Sequence, residues 1–140
     1  MLLYDFSSDS DIILNKDGGN VGIGEINPKN KLDVKGTMHS QEVKVDMLGW
    51  SDFVFKKEYD LPTLTEVEKH IREKGHLENI PSEKEVLENG INLGEMNAKL
   101  LQKIEELTLY MIDIKKENDE MKVKQLKFEK AINELRKKSK

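Results

Sequence analysis

Apolar residues recur along this chain with two different periods. Between positions 12 and 45 they form short runs or alternate with polar residues: Ile12 to Leu14, then Val21 and Ile23, Leu32 and Val34, and finally Met38, Val43 and Val45. Alternation places such residues on one face of a strand. Turn chemistry interrupts the runs. Residues 16–20 read KDGGN, where Gly18 and Gly19 accept positive φ, and predict a hairpin turn. Residues 27–30 read NPKN, a turn in which Pro28 fixes φ. The pattern predicts a glycine-rich β-stem of short strands over residues 1–48, with strands too poor to make a stable sheet alone.

Residues 49–93 have a different texture. The stretch GWSDFVFKKEYDLP concentrates Trp50, Phe53, Phe55 and Tyr59, half of the eight Phe, Trp and Tyr residues in the chain, and predicts a small hydrophobic core. A helix follows from Thr63, with Glu66 three residues later as a capping box, Leu64, Val67 and Ile71 on one face, and Gly75 as the stop. The same grammar repeats with Ser82, Glu85, Val86, Leu87 and Gly90. Trp50, Phe53, Phe55, Tyr59, Val67 and Ile71 are the expected core of this small mixed module.

Residues 94–140 predict one long helix, since no proline and no glycine follows Gly94. Its spacing alternates three and four without a slip through Asn97, Leu100, Ile104, Leu107, Met111, Ile114, Asn118, Met121, Gln125, Phe128, Ile132 and Leu135. That is a heptad seam roughly 60 Å long, taking ~1.5 Å per residue. The flanking e and g positions carry Lys103, Lys115, Glu117, Lys122, Lys124, Glu129 and Arg136. A lone helix with such a stripe leaves a large apolar surface in water, and the simplest partners are the same helix from other copies. The a positions are not the β-branched set of a two-stranded coil; Ile114 and Phe128 at d lean toward more strands, and Asn118 with Gln125 form successive polar layers that set register. Leu101, Leu109 and Tyr110 lie off the seam and are expected to pack against the mixed module of the same or a neighbouring subunit.

Composition sharpens this picture. Of 140 residues, 36% are hydrophobic and 36% charged, too little core for an ordinary compact monomer. A net charge of −4 argues against a broad nucleic-acid surface. The basic end, Arg136 to Lys140, reads as a solvated helix terminus. The chain has no cysteine, so disulfides and thiolate metal sites are excluded. No apolar run approaches ~20 residues, so membrane insertion is not expected. The start, MLLYDFSSDSD, lacks the basic and long apolar regions of a signal peptide and reads like a cut inside a longer protein or a small gene product.

Catalytic chemistry is thin. His39, His70 and His76 are scattered, and Lys74 stands where a second ligand to His70 would be on its helix. His39 on a strand is the one candidate for a metal on an oligomer axis. Asp9 and Asp11 fail as a calcium loop, because Leu14 and Asn20 occupy the turn and distal ligand positions. No dinucleotide, phosphate-loop or nucleophile-elbow motif occurs. The expectation is no cofactor, no metal and no enzymatic activity. The loop KGHLENIPS reads as a rigid connector between capped helices rather than a receptor contact.

The series GNVGIGEINPKNKLDVKGT, WSDFVFKKEYDL, EVEKHIREKGHLENIPSEKEV and NLGEMNAKLLQKIEELTLY, covering roughly residues 19–110, resembles the C-terminal domain of Bacteroidetes and phage "tail fiber domain-containing" proteins. That family is distantly similar to the endosialidase-type intramolecular chaperone domain. The resemblance implies trimerisation of a fibre's C-terminus and assistance to its folding. In many chaperone members it also implies self-cleavage at a serine in a SD-x-R-L-K motif. Here Ser51, Asp52 and Lys56 match that motif, while Val54 and Phe55 replace its arginine and leucine.

The fold expected is mixed α+β, elongated and homotrimeric: β-stem 1–48, mixed module 49–93, and a parallel coiled-coil helix 94–140. Leu100, Ile104, Leu107, Met111, Ile114, Asn118, Met121, Gln125, Phe128, Ile132 and Leu135 would form the trimer core. In the stem, Val21, Ile23, Leu32 and Val34 would point at the axis or at a neighbour. The expected function is a structural trimerisation and folding module of a phage or phage-like tail fibre, or a bacterial surface fibre. Its partners would be its own copies and, beyond them, upstream fibre or a host-surface receptor. Self-cleavage at Ser51 and a receptor-binding tip are the alternatives.

Overall fold

A computed structural model describes residues 18–47 and 49–138. The expected strand at Ile12 to Leu14, most of the KDGGN turn, the SSDSD segment and the last two residues lie outside the described residues. The chain divides into two compact units, residues 1–44 and 45–140.

The first unit is built on two strands, β1 (Val21–Ile23) and β2 (Leu32–Val34). They run parallel, with Val21 opposite Leu32, Gly22 opposite Asp33 and Ile23 opposite Val34. Flanking bonds from Val21 N–H to the Lys31 carbonyl and from Lys35 N–H to the Ile23 carbonyl, both 2.9 Å, extend the ladder. The connection over residues 24–31 is short for a parallel pair, and side chains hold it. Asp33 accepts from the Lys29 N–H at 2.5 Å, the Asn30 N–H at 3.1 Å and the Asn30 amide at 2.7 Å. Those bonds, led by the Asn30 side chain, keep the Asp33 carboxyl below its usual range. Asn20 donates to the Pro28 carbonyl at 2.8 Å. Gly22 is required by close approach: a Cβ there would sit 2.1 Å from the Glu25 carbonyl oxygen. The NPKN stretch is thus a bend inside a crossover and not a hairpin reversal.

In-register pairing puts Val21, Ile23, Leu32 and Val34 on one face of this sheet. Ile23 and Leu32 remain exposed on that face. The alternation through Met38, Val43 and Val45, which predicts a further strand, forms none among the described residues, and all three side chains are exposed.

The second unit holds three helices: α1 (Leu64–Lys74), α2 (Glu83–Asn89) and α3 (Leu93–Lys138). Both expected capping boxes form. Thr63 and Ser82 each take the N–H of the glutamate three residues on, and Glu66 and Glu85 reach back to the cap N–H at 2.8 Å. Gly75, at φ 79°, ends α1 in the left-handed conformation that glycine adopts without strain. The long helix spans 46 residues, about 69 Å at ~1.5 Å per residue.

Candidate assembly surface

The heptad spacing gives α3 two faces with different fates. One face meets its own chain. Gly94, Ala98 and Glu106 are buried, and Leu101, Gln102, Leu109 and Tyr110 are half-buried. At Gly94 an added Cβ would lie 2.9 Å from the end of Met47 and 3.1 Å from Val45, so the missing side chain lets the chain cross the helix closely.

A polar cluster fixes the module to this face. The Tyr59 hydroxyl donates to Glu106 Oε1 at 2.5 Å, Gln102 donates to the same oxygen at 2.9 Å, and Lys103 Nζ donates to Oε2 at 2.8 Å. The Tyr110 hydroxyl donates to the Pro62 carbonyl at 2.5 Å. Glu106 is only 5% exposed. Burial raises its pKa, but the bonds from Lys103, Tyr59 and Gln102 outweigh burial and leave it lowered. Burial, together with the Glu106 carboxylate, pushes the Tyr59 hydroxyl up to about 12. Of the off-seam residues, Tyr110 reaches the module through Pro62, and Leu101 and Leu109 are half-buried. Glu106 and Gln102 carry no signal in the sequence pattern, and Tyr59 appears there only as a core aromatic. The small pair Gly94 and Ala98, in line with Leu101 and Leu109, is the signal that a second face exists.

The other face is bare. Leu100, Ile104, Leu107, Met111, Ile114, Met121, Phe128, Ile132 and Leu135 are each between 43% and 67% exposed, and Asn118 and Gln125 are exposed with them. From Met111 to Lys138 every side chain is exposed. Lys103, one of the expected flanking charges, is committed within its own chain to Glu106. Among the described residues Glu117, Lys122 and Lys124 make no ion pair.

The aromatic module does not close on itself. Val54 is the one fully buried large side chain among the described residues, at 2% exposure, and Ser51 is buried beside it in sequence. Trp50, Phe53, Phe55 and Ile71 are exposed, while Tyr59 and Val67 are half-buried. The stretch around Val54 is a run of turns, with bonds from Lys56 N–H to the Phe53 carbonyl and from Tyr59 N–H to the Lys56 carbonyl, both 3.1 Å. The turns aim Val54 inward and its aromatic neighbours outward, except that Phe53 stacks at a tilt on Tyr59, 5.7 Å between centroids. The expected core is therefore centred on Val54, a residue that the aromatic count overlooks.

His70 and His76, distant in the helical pattern, meet edge-on across Gly75 at 5.7 Å. His76 Nδ1 lies 2.9 Å from the Leu77 carbonyl and His70 Nε2 is buried without a partner. His39 is exposed and apart from them. Among the described residues no three acidic or histidine side chains converge as metal ligands, and no helix is long and apolar enough to cross a membrane. No family model, curated protein or solved structure matches the chain.

Proposed function

We propose that this chain is a homotrimerisation and folding module of a fibre-like protein, at the C-terminal end of a phage or phage-like tail fibre or a bacterial surface fibre. The observation that carries the reading is the bare seam of α3, an unbroken heptad stripe that its own chain leaves in water. Charge favours a parallel, in-register partner. In that arrangement each g residue faces the next e residue of the neighbouring helix. Glu117 then meets Lys122 and Lys124 meets Glu129, opposite signs in both pairs. Asn118 and Gln125 meet their own copies, where amides bond to one another and penalise every other register. The exposed apolar face of β1 and β2 fits the same scheme: three such faces around one axis share a narrow core. The long helix raises local concentration and sets alignment, so that non-local stem pairing begins with its chains in register.

Ser51 as a self-cleaving nucleophile has less support, because its side chain is buried and the motif's arginine and leucine are replaced by Val54 and Phe55. Light scattering on a size-exclusion column, at two concentrations, tests the reading. A mass near three chains is expected. A mass of one chain at both concentrations refutes it. An intact mass of 16.2 kDa after long incubation is expected as well, and fragments abolished by Ser51→Ala would instead establish cleavage.

A further inference from the structure

A cleft of about 670 Å³ opens between α1 and α3. Its α3 wall is made by Lys103, Glu106, Leu107 and Tyr110. Leu107 is also a d residue of the bare seam, and Lys103 and Tyr110 are g residues on its edge. The cleft and the seam are therefore one continuous surface. The cleft is acidic: Asp60, Glu66, Glu73 and Glu78 line it against Lys69, since Lys103 is already paired with Glu106. Apolar side chains of Leu64, Val67 and Leu107 line it as well.

We propose that this cleft seats the neighbouring copy's α3, with that copy's Lys115 entering among the carboxylates and its Ile112 covering the apolar lining. The proposal rests on the parallel trimer argued above. In that register the e residue facing Tyr110 is Lys115. Tyr110 and Glu66 line the same cleft; burial first, then the charges of Glu106 and Glu66, raise the Tyr110 pKa. Glu66 uses Oε2 for its capping bonds, and among the described residues its Oε1 takes none. Lys115 can exchange partners to reach it: among the described residues it pairs with Asp119 alone, on an exposed face. Ile112, one turn before Lys115 on the same side, is off the seam and exposed, and the heptad alone gives it no partner. The arrangement makes each α3 bind two surfaces of its neighbour, the seam and the cleft, which ties module to coiled coil between copies.

Cysteine cross-linking tests this, because the chain has none of its own. Glu66→Cys and Lys115→Cys are placed on separate chains, co-assembled and oxidised mildly. A disulfide-linked pair of unlike chains is expected, with Glu66→Cys plus Lys130→Cys giving none. Charge reversal provides a second readout that spares the capping box. Lys115→Glu raises the concentration at which the trimer dissociates at least about tenfold, and Lys115→Glu with Glu73→Lys, a cleft carboxylate outside the capping box, recovers part of it. A trimer with no 66–115 link, and with dissociation unchanged by Lys115→Glu, overturns the cleft assignment and leaves the trimer standing. A chain that is monomeric by light scattering overturns the trimer and the cleft together.

Discussion

Phe128→Ala separates an assembled α3 from a solitary one. Phe128 is 67% exposed in the single chain. A phenylalanine offers about 200 Å² when fully covered, so assembly would remove roughly 130 Å² per chain at this position. At ~25 cal/mol per Å² that is about 3 kcal/mol per chain, close to the 3–5 kcal/mol typical of core Phe→Ala changes. Three copies share one layer, so the trimer loses on the order of 10 kcal/mol, about seven orders of magnitude in its association constant. On a solitary helix the same substitution is a surface change worth at most about 0.5 kcal/mol, and alanine's helix propensity makes it mildly favourable. Thermal unfolding followed by far-ultraviolet circular dichroism, at two protein concentrations, reads the difference. The wild type should unfold at a temperature that rises with concentration, and Phe128→Ala should lower that temperature by many degrees. An unchanged, concentration-independent transition in both proteins would refute the assignment of Phe128 to a shared core.

Asn118→Ile with Gln125→Ile should raise thermal stability and broaden the stoichiometry seen by light scattering; if both stay unchanged, the register is wrong. Tyr59→Phe removes a hydrogen bond to a buried carboxylate and should cost about 2 kcal/mol in denaturant titrations. The Tyr59 pKa is raised from 10.0 to about 12, so its contribution is complete below about pH 10 and fades as pH rises through about 12; the wild-type advantage over Tyr59→Phe should shrink across that window. On the acid side the lowered pKa of Glu106 makes its contribution present above the unfolded carboxyl value and lost as pH falls through the folded one, which Glu106→Gln should flatten. Gly22→Ala drives a methyl into the Glu25 carbonyl and should cost ~1–3 kcal/mol, read as faster hydrogen exchange at Val21 and Lys35.

The elements that the sequence made legible are those whose signals are local. Thr63 with Glu66 and Ser82 with Glu85 announce helix starts, Gly75 and Gly90 announce stops, and an unbroken heptad announces α3; each depends on residues within a few positions of one another. Strand pairing is not of that kind. Alternation at Val21, Ile23, Leu32 and Val34 identifies strands and their apolar face, but the parallel sense comes from Asp33 and Asn20 gathering the crossover, a pattern that polar residues in a loop do not advertise. The centre of the module is hidden from the sequence pattern for a related reason. Aromatic content measures how much surface a segment can bury, whereas the successive turns at Phe53 to Tyr59 decide which side chain points inward, and they select Val54. The contact of Tyr59 with Glu106 bridges 47 positions and leaves no periodic trace.

Val54 and Ala98 are the only buried hydrophobic residues among those described, in a chain where 36% are hydrophobic. Three patches stand out among the bare apolar groups: the face of β1 and β2, the aromatic turns around Val54, and the seam of α3. A single foreign partner would need a separate complementary surface for each, with polar groups placed by chance against Asn118 and Gln125. Copies of the same chain need none of these coincidences, because rotation about one axis brings every patch to its own equivalent. Parallel in-register alignment does more, since it alone stacks Asn118 on Asn118 and Gln125 on Gln125 while pairing Glu117 with Lys122. An antiparallel pair would place those amides against apolar side chains and leave them unsatisfied, at about 1–3 kcal/mol for each buried group. In the proposed trimer, the polar layers that weaken the seam would select the alignment in which the remaining surfaces meet.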